Sequence, residues 1–573
     1  MTLNGLRHRQ LIRWMSACAI ACVGVGAMAA ETTFDRLVNA AREPHNWLTN
    51  HGSYNAQHYS TLEAINRQNV KGLRLAYAVA LGGTSANENL QATPLVEDGF
   101  MYVVDQWGVV YKIDVRSGER GRIVWRMDPG QEKLPQANRG VALWGNLVVS
   151  VANGPARVIA TSKDTGRVVW ETNVHDQPDL QLTAAPLAVK DKIMVGAAGG
   201  DMGVRDWLAA LDAATGKLVW RKYVIPAPGE PGSNTWKDKN NAWQTGGGAI
   251  WVTGAYDVDN DQAIWGIGNP SPMFDATYRP GDNLFTNSAV SWNPDTGAML
   301  WHFQYTPGDM WNYDEVGAHI LIDATINGEK RTLLTHPARN GFLYTMERNN
   351  GQILVAKPYL DNINWTKGID QKTGLPLDYD RRKDVQTYSG LANPVQGQMK
   401  KMCPSPAGGN SYWPSSYSQR TKMLYVPALT SCADVTLLPQ ANRRVANWKG
   451  GAYRTTEKWE TELSMSDPLT GEIKKKVRIP VANYAGALST AGGLVLTGFT
   501  DGTLAAYDDE TLDVLWKINL GVGFNAPPIT FAVDGRQYVA ILSGLGQIAR
   551  SKNANNPELK DMRNQTMLFV FGL

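Results

Sequence analysis

LAALDAATGKLVW, residues 208–220, decides the fold. Four apolar residues run into Asp212, an Ala-Ala-Thr-Gly turn follows, and an apolar run closes on Trp220. Apolar runs on either side predict strands, and Asp followed by Gly is the chemistry of a reversing turn, so the stretch reads as a β-hairpin. The phrase recurs as KIDVRSGERGRIVW (112–125), IATSKDTGRVVW (159–170), VSWNPDTGAMLW (290–301) and LAAYDDETLDVLW (504–516). Two worn copies, TMERNNGQILV (345–355) and LSMSDPLTGEI (463–473), fill the gap. A tryptophan just past the turn offers a large flat apolar body to wedge against a neighbouring unit.

Further short strands lie between these phrases, among them GFMYVVD, NLVVSVA, KIMVGAA, GFLYTME, KMLYVPA, GLVLTGF and QYVAILS. Roughly four strands per unit of about 45 to 60 residues is the arithmetic of propeller blades. Seven copies of the phrase, with ITFAVDGRQYVAIL and TMLFVFGL at the C-terminus, predict an all-β propeller of seven or eight blades, with eight favoured. Two strand-rich sandwiches would not repeat the Gly-x-x-x-Trp ending. Residues 357–401, rich in Asn, Gly, Pro and charge, do not repeat and read as an excursion over one face or a flexible insertion.

The first 29 residues differ from the rest. Arg7, Arg9 and Arg13 precede a mostly apolar run from Met15 to Val25, then GAMAA stands before Glu31. That is the pattern of a secretory signal, too short and wrongly flanked for a membrane anchor. ACAIAC around Cys22 is a poor context for lipid attachment. Residues 30–573 are expected to form a single propeller domain exported to the periplasm. Loss of the three arginines from 56 Lys and Arg leaves 53, equal to the 53 Asp and Glu, so nothing favours nucleic acid or an anionic membrane surface. Cys18 and Cys22 leave with the signal, and in an oxidising compartment Cys403 and Cys432 are expected to pair. The absence of Cys-x-x-Cys-His means the chain carries no covalently attached haem of that type.

A ligand on a propeller axis meets single residues from many blades, so a site should be scattered through the sequence. In TGGGAIW, ending at Trp251, three glycines permit close backbone approach and the indole gives a stacking face, although glycine-rich turns are equally common as structure. GGDMGVRD, with Asp201 beside Arg205, and WGIGNPSP, with Asn269, together could bind a hard cation through oxygen. TPGDMWNYDEVG (306–317) crowds Asp309, Asp314 and Glu315 around Trp311 and Tyr313, with Asn312 in their midst.

Taken in order, NHGSYNAQHYSTLEAIN, LQATPLVEDGFMYVV, ANRGVAL, GGDMGVRD, TGGGAIW, WGIGNPSP, RPGDNLFTNS, TPGDMWNYDEVG and HPARNGFLY resemble the pyrroloquinoline quinone (PQQ)-dependent alcohol dehydrogenases, the family that includes methanol dehydrogenase. The resemblance covers nearly all of the chain after the signal, and that family's fold is an eight-bladed propeller. It implies that Trp251 is the floor on which the quinone stacks. It implies quinone contacts at Gln91, Arg139 and Thr183, with Arg339 at the ortho-dicarbonyl. It places metal ligands at Asp201, Asn269, Asn312 and Asp314, and agrees with the Cys403–Cys432 spacing.

The departures from that pattern carry as much information. Lys133 and Leu134 stand where many members have two adjacent cysteines, Asp201 replaces a glutamate ligand, and Gln91 replaces a glutamate contact. Asn312 occupies the place of the aspartate that is both ligand and general base. An amide oxygen still ligates a cation, but it cannot accept a substrate proton at neutral pH. Asp314, two residues on, is where lanthanide-using relatives add a carboxylate, and it is the favoured replacement base. Asp309 and Glu315 are alternatives, and all three acids could instead serve turn amides. Asp201 and Asp314 bring two negative charges, which favours Ca2+ while leaving a lanthanide open.

The expected activity is oxidation of a small alcohol by hydride transfer, with Asp314, Asn312 and Arg339 at the reacting centre and electrons passing to a separate c-type cytochrome. A homodimer is compatible with the sequence. Two other readings stay open: a thiol or reduced sulfur substrate, already deprotonated and so less dependent on a base, or a binding propeller with a decayed site.

Overall fold

The computed structural model describes residues 31–82, 88–132, 137–439, 449–455 and 457–573. The predicted signal, Lys133 and Leu134 lie outside the described residues. Among the latter, strands form eight sheets of four or five strands and one of three. The fold is a β-propeller, each larger sheet having four antiparallel strands, to one of which Tyr59–Ser60 adds in parallel.

The opening stretch forms the outer half of one sheet: Leu187–Val189, Lys192–Gly196, Trp207–Asp212 and Leu218–Tyr223 pair in chain order. Its turn holds Gly216 at φ +72°, a conformation glycine enters without steric cost. Three of the repeated tryptophans donate to the turn of the next sheet. Trp125 Nε1 donates to Lys163 O (2.8 Å), Trp170 Nε1 to Ala213 O (3.1 Å) and Trp220 Nε1 to Pro294 O (2.9 Å). The indole of Trp220 lies over Gly297, where an added Cβ would sit 2.7 Å from its Cδ2. Glycine in Gly-x-x-x-Trp therefore serves twice, turning its own hairpin and giving a flat seat to its neighbour's indole.

The ring closes through the N-terminal part of the chain. Arg74–Ala80 pairs with Met567–Gly572 to complete a sheet with Arg536–Ser543 and Ile529–Val533. Before that strand, residues 47–60 contact all eight larger sheets in turn. Trp47 bridges Val96, Asn50 Nδ2 donates to Arg139 O (3.0 Å), and Tyr54 OH donates to Ala188 O (2.6 Å). Tyr54 O accepts from Tyr256 N (3.0 Å), Asn55 O from Leu321 N (2.9 Å), and Gln57 O from Tyr417 N (2.9 Å). Tyr59 and Ser60 pair with Ser489 and Thr490, and His58 Nε2 meets Pro528 O at 3.1 Å. This segment is a central strap to which the inner edges of the sheets are fastened.

The meander also fixes where a site can form. Strands run alternately up and down, so the entry to a sheet's first strand and the link from its second to third strand share one face. The Asp–Gly turns between third and fourth strands lie on the other. The long excursion (359–415) leads into a first strand, and the described residues among 430–460 lie between the second and third strands of the same sheet, so both belong to the first face. Lys400–Met402, Ala433–Leu437 and Gly451–Arg454 join there as the three-stranded sheet, with Cys403 and Cys432 disulfide-bonded beside it. The excursion is packed structure: Trp311 Nε1 donates to Ala392 O (2.9 Å) and Trp365 Nε1 to Asn340 O (2.8 Å). Among the described residues, no helix is long and apolar enough to cross a membrane.

Candidate active site

Each residue expected at the site lies in one of the two kinds of connection that share the first face. Gln91, Arg139, Thr183, Trp251, Asn312 and Asp314 precede first strands, whereas Asp201, Asn269 and Arg339 lie between second and third strands. Residues from five different sheets are therefore brought to one face by topology, and contacts join several of them into two groups.

One group forms around Trp251. Arg139, buried, donates from Nη1 to Trp251 O (2.9 Å) and Thr183 O (3.3 Å). Its guanidinium carbon lies 4.6 Å from the Trp251 ring centroid and 5.0 Å from that of Tyr412. Burial lowers the Arg139 pKa to about 10, which leaves the group cationic at neutral pH. Tyr412 was not singled out in the sequence; it sits in GGNSYW with no distinguishing motif, and only the fold brings it 6.0 Å from Trp251. The strap supports this group from within through Asn50 on Arg139 O and His51 Nε2, which is 3.2 Å from Thr253 O.

The second group joins the two asparagine loops to Arg339. Asp314 Oδ1 accepts from Asn269 N (2.9 Å), and its Oδ2 pairs with Arg339 Nη1. Asn269 Nδ2 donates to Asp201 Oδ1 (3.3 Å). Burial raises the Asp201 pKa, and the charge of Asp314 raises it further, so a cation between these carboxylates would relieve both effects. Asn312 turns the loop at φ +66°, in the left-handed region that asparagine tolerates.

The other acids of this loop have internal duties. Asp309 accepts Trp311 N (3.0 Å) and Tyr313 N (3.2 Å) through its carboxylate, and its carbonyl accepts Arg279 Nη2 (2.6 Å). It is the turn-capping acid, with a pKa pushed up by burial to about 7 despite Arg279. Arg279, from RPGDN, also donates to Pro272 O (3.0 Å), Met273 O (3.1 Å) and Asn283 Oδ1 (2.8 Å), which fixes the Asn269 loop against the Asn312 loop. Glu315 Oε2 accepts the backbone N–H of Arg339 (2.9 Å) and lies 3.1 Å from His336 Nε2. Of the three acids, Asp314 is the one that pairs with the Arg339 guanidinium and also accepts from Asn269 N.

Four buried polar atoms have no hydrogen-bond partner within the protein although their residues belong to these groups: Gln91 Oε1, Arg139 Nε, Asn312 Oδ1 and Arg339 Nε. Buried polar atoms are normally paired, so these four are available to a polar ligand. Two guanidiniums and an indole suit an acidic, planar quinone, and two carboxylates with two asparagines suit a hard cation. Among the described residues, Glu43, His45 and Asp98 also bring acidic and imidazole ligand atoms within 4.8 Å, but Arg36 pairs with both acids and fills that cluster.

A family model described as the β-propeller domain of PQQ-dependent glucose, ethanol and alcohol dehydrogenases matches residues 47–356 and 453–539. The chain belongs to the PQQ-dependent alcohol dehydrogenase family. It is 33% identical to quinohemoprotein alcohol dehydrogenase ADH-IIG of Pseudomonas putida, over 95% of this chain and 79% of that protein. It is 31% identical to quinoprotein alcohol dehydrogenase PedH of the same species, over 96% of this chain and 94% of PedH. Among solved structures, a europium-containing methanol dehydrogenase superposes with a TM-score of 0.86 at 30% identity, covering 94% of this chain and all of that one. The chain is thus an oxidoreductase whose cofactors are PQQ and a metal ion, calcium or a lanthanide.

Proposed function

We propose that this quinoprotein oxidises a small alcohol in the periplasm and passes the electrons to a separate c-type cytochrome. Residues 1–29 act as the export signal, and 30–573 form the single catalytic domain. The observation that carries the reading is Asp314, a buried carboxylate held between Asn269 N and Arg339 in the loop where Asn312 cannot act as a base.

When bound, the quinone and cation supply a hydride acceptor and a Lewis acid. The chain's own residues do the rest. Trp251 provides the stacking floor; Gln91, Arg139 and Thr183 hold the quinone's rim; Arg339 contributes positive charge at its dicarbonyl and aligns Asp314. Asp201, Asn269, Asn312 and Asp314 would hold the cation. As hydride leaves the alcohol carbon, the hydroxyl proton passes to the Asp314 carboxylate and the substrate becomes an aldehyde. The excursion and the three-stranded sheet on this face limit access by water.

Reconstitution of the purified chain with PQQ and Ca2+ or a lanthanide, followed by dye-linked assay, tests this. Short alcohols should be oxidised, and Asp314→Asn should bind quinone with little turnover. Oxidation of thiols or thiosulfate without alcohols would replace the substrate class. If Asn312→Asp raises alcohol turnover while Asp314→Ala leaves it intact, Asp314 is not the base.

A further inference from the structure

GGDMGVRD ends in a residue that the site so far does not use. Asp206 is fully buried, and neither carboxylate oxygen has a hydrogen-bond partner in the protein. Its backbone is engaged normally, N–H to Gly247 O and C=O to Val224 N, both at 3.1 Å, so the strand is ordinary and the side chain alone is anomalous. The neighbouring Arg205 does not compensate it: that guanidinium donates to Ile225 O and lies over the Tyr223 and Trp243 rings.

The position of this carboxylate is informative. A Cβ built on Gly200 would lie 2.9 Å from Asp206 Oδ2 and 3.1 Å from Gly247 Cα. The carboxylate thus packs behind the turn that presents Asp201, at the backbone junction where Gly247 bridges Arg205 and Pro270, next to Asn269. Only glycine at 200 lets it come so close. Burial raises its proton affinity strongly, and Asp201 and Asp314 raise it further, which places it within the field of both.

A buried carboxylate without a partner is costly, and a third one beside two others more so, unless a cation of high charge joins them. We propose that Asp206 is the third anionic group of the cation centre, lying behind the direct ligands and biasing the centre toward a trivalent ion of the lanthanide class over Ca2+. This rests on the cation site described above and deepens it: two front carboxylates match a divalent ion, and the third charge is supplied by the residue that leads into the strand Trp207–Asp212. Asp206 is a positioning residue that acts through the field, so its mark is the ratio between two metals rather than the affinity for either.

The test uses the chelator-stripped full chain with PQQ. Tb3+ binding is followed by tryptophan-sensitised luminescence, Ca2+ by competition, and thermal unfolding is recorded without metal. Asp206→Asn should lower the Tb3+ to Ca2+ affinity ratio roughly tenfold or more, while the stripped protein unfolds at the same or a higher temperature. Asp206→Ser, smaller and also neutral, should shift the ratio alike and guards against a packing fault of the amide. An unchanged ratio overturns the proposal, as does an equal loss of both affinities together with a lower unfolding temperature. A wild-type chain that binds neither ion overturns the cation site itself; one that binds both with a ratio indifferent to Asp206 overturns this inference alone.

Discussion

The two faces of the propeller are built from the same strands and obey opposite rules. On the turn face, Trp125, Trp170 and Trp220 each bond a backbone carbonyl of the next sheet, and the glycine beneath is chosen for contact. On the other face, Gln91, Arg139, Asn312 and Arg339 bury polar atoms without protein partners, and Asp206 buries a whole carboxylate. One face is fastened by tryptophan-to-turn bonds that hold the ring together; the other carries groups left to be completed by what it binds. The difference teaches that stability and chemistry are separated by topology, since a meander sends its short turns to one end and its long connections to the other.

The comparison is broken most sharply at Asp314. Asp314→Asn keeps the shape and the Asn269 contact but removes the proton acceptor and its pairing with Arg339. Alcohol turnover should fall about 10²- to 10⁴-fold, with PQQ still bound and the thermal midpoint shifted little. A stopped-flow reductive half-reaction, compared with quinone absorbance, separates chemistry from cofactor loss. If both fall together, the carboxylate serves binding rather than proton transfer.

Gly297→Val reverses the pattern. The new side chain meets the Trp220 indole, where even a Cβ would stand at 2.7 Å, and φ of +68° is unfavourable for a β-branched residue. Denaturant unfolding should show a loss of about 3 kcal/mol, whereas turnover per folded, quinone-loaded molecule stays at the wild-type value. A drop in turnover without a stability loss would erase the division between the faces.

That division also explains what could be read from the sequence. The turn-face phrase recurs because its fuller copies solve one problem, seating an indole on a glycine turn, so LAALDAATGKLVW reveals the propeller. The functional face does not repeat, since each connection contributes a different group. Resemblance to a family supplied Trp251, Arg339 and Asn269; Arg139 contacts the first, and Asp314 joins the other two. Spacing alone could not divide the duties of Asp309, Asp314 and Glu315. Asp309 caps the turn and Glu315 meets His336 because of chain reversals that a linear acidic cluster does not disclose. Tyr412 and Asp206 stayed silent for the same reason: their meaning lies in what the fold places beside them.

The smallest effect concerns the strap that joins both faces. His58 is wholly buried, its Nε2 on Pro528 O, its ring 5.1 Å from that of Trp47 and 6.5 Å from that of His51. Burial, and then the neighbouring His51, push its pKa down to about 3. The unfolded chain takes up a proton near pH 6.5 that the native chain refuses until about pH 3. The stability from a neutral His58 is therefore complete above pH 6.5 and is lost as pH falls toward 3, by about 1.4 kcal/mol per pH unit. Equilibrium unfolding at pH 7, 6 and 5 should show this slope, and His58→Gln, which retains an amide donor for Pro528 O, should flatten it by one proton. An unchanged slope would mean that the strap opens to water at His58 and does not tie the sheets as tightly as its hydrogen bonds imply. Acid should in that case loosen the backbones of Arg139 and Thr253, which rest on Asn50 and His51, before it unfolds the tryptophan-docked rim.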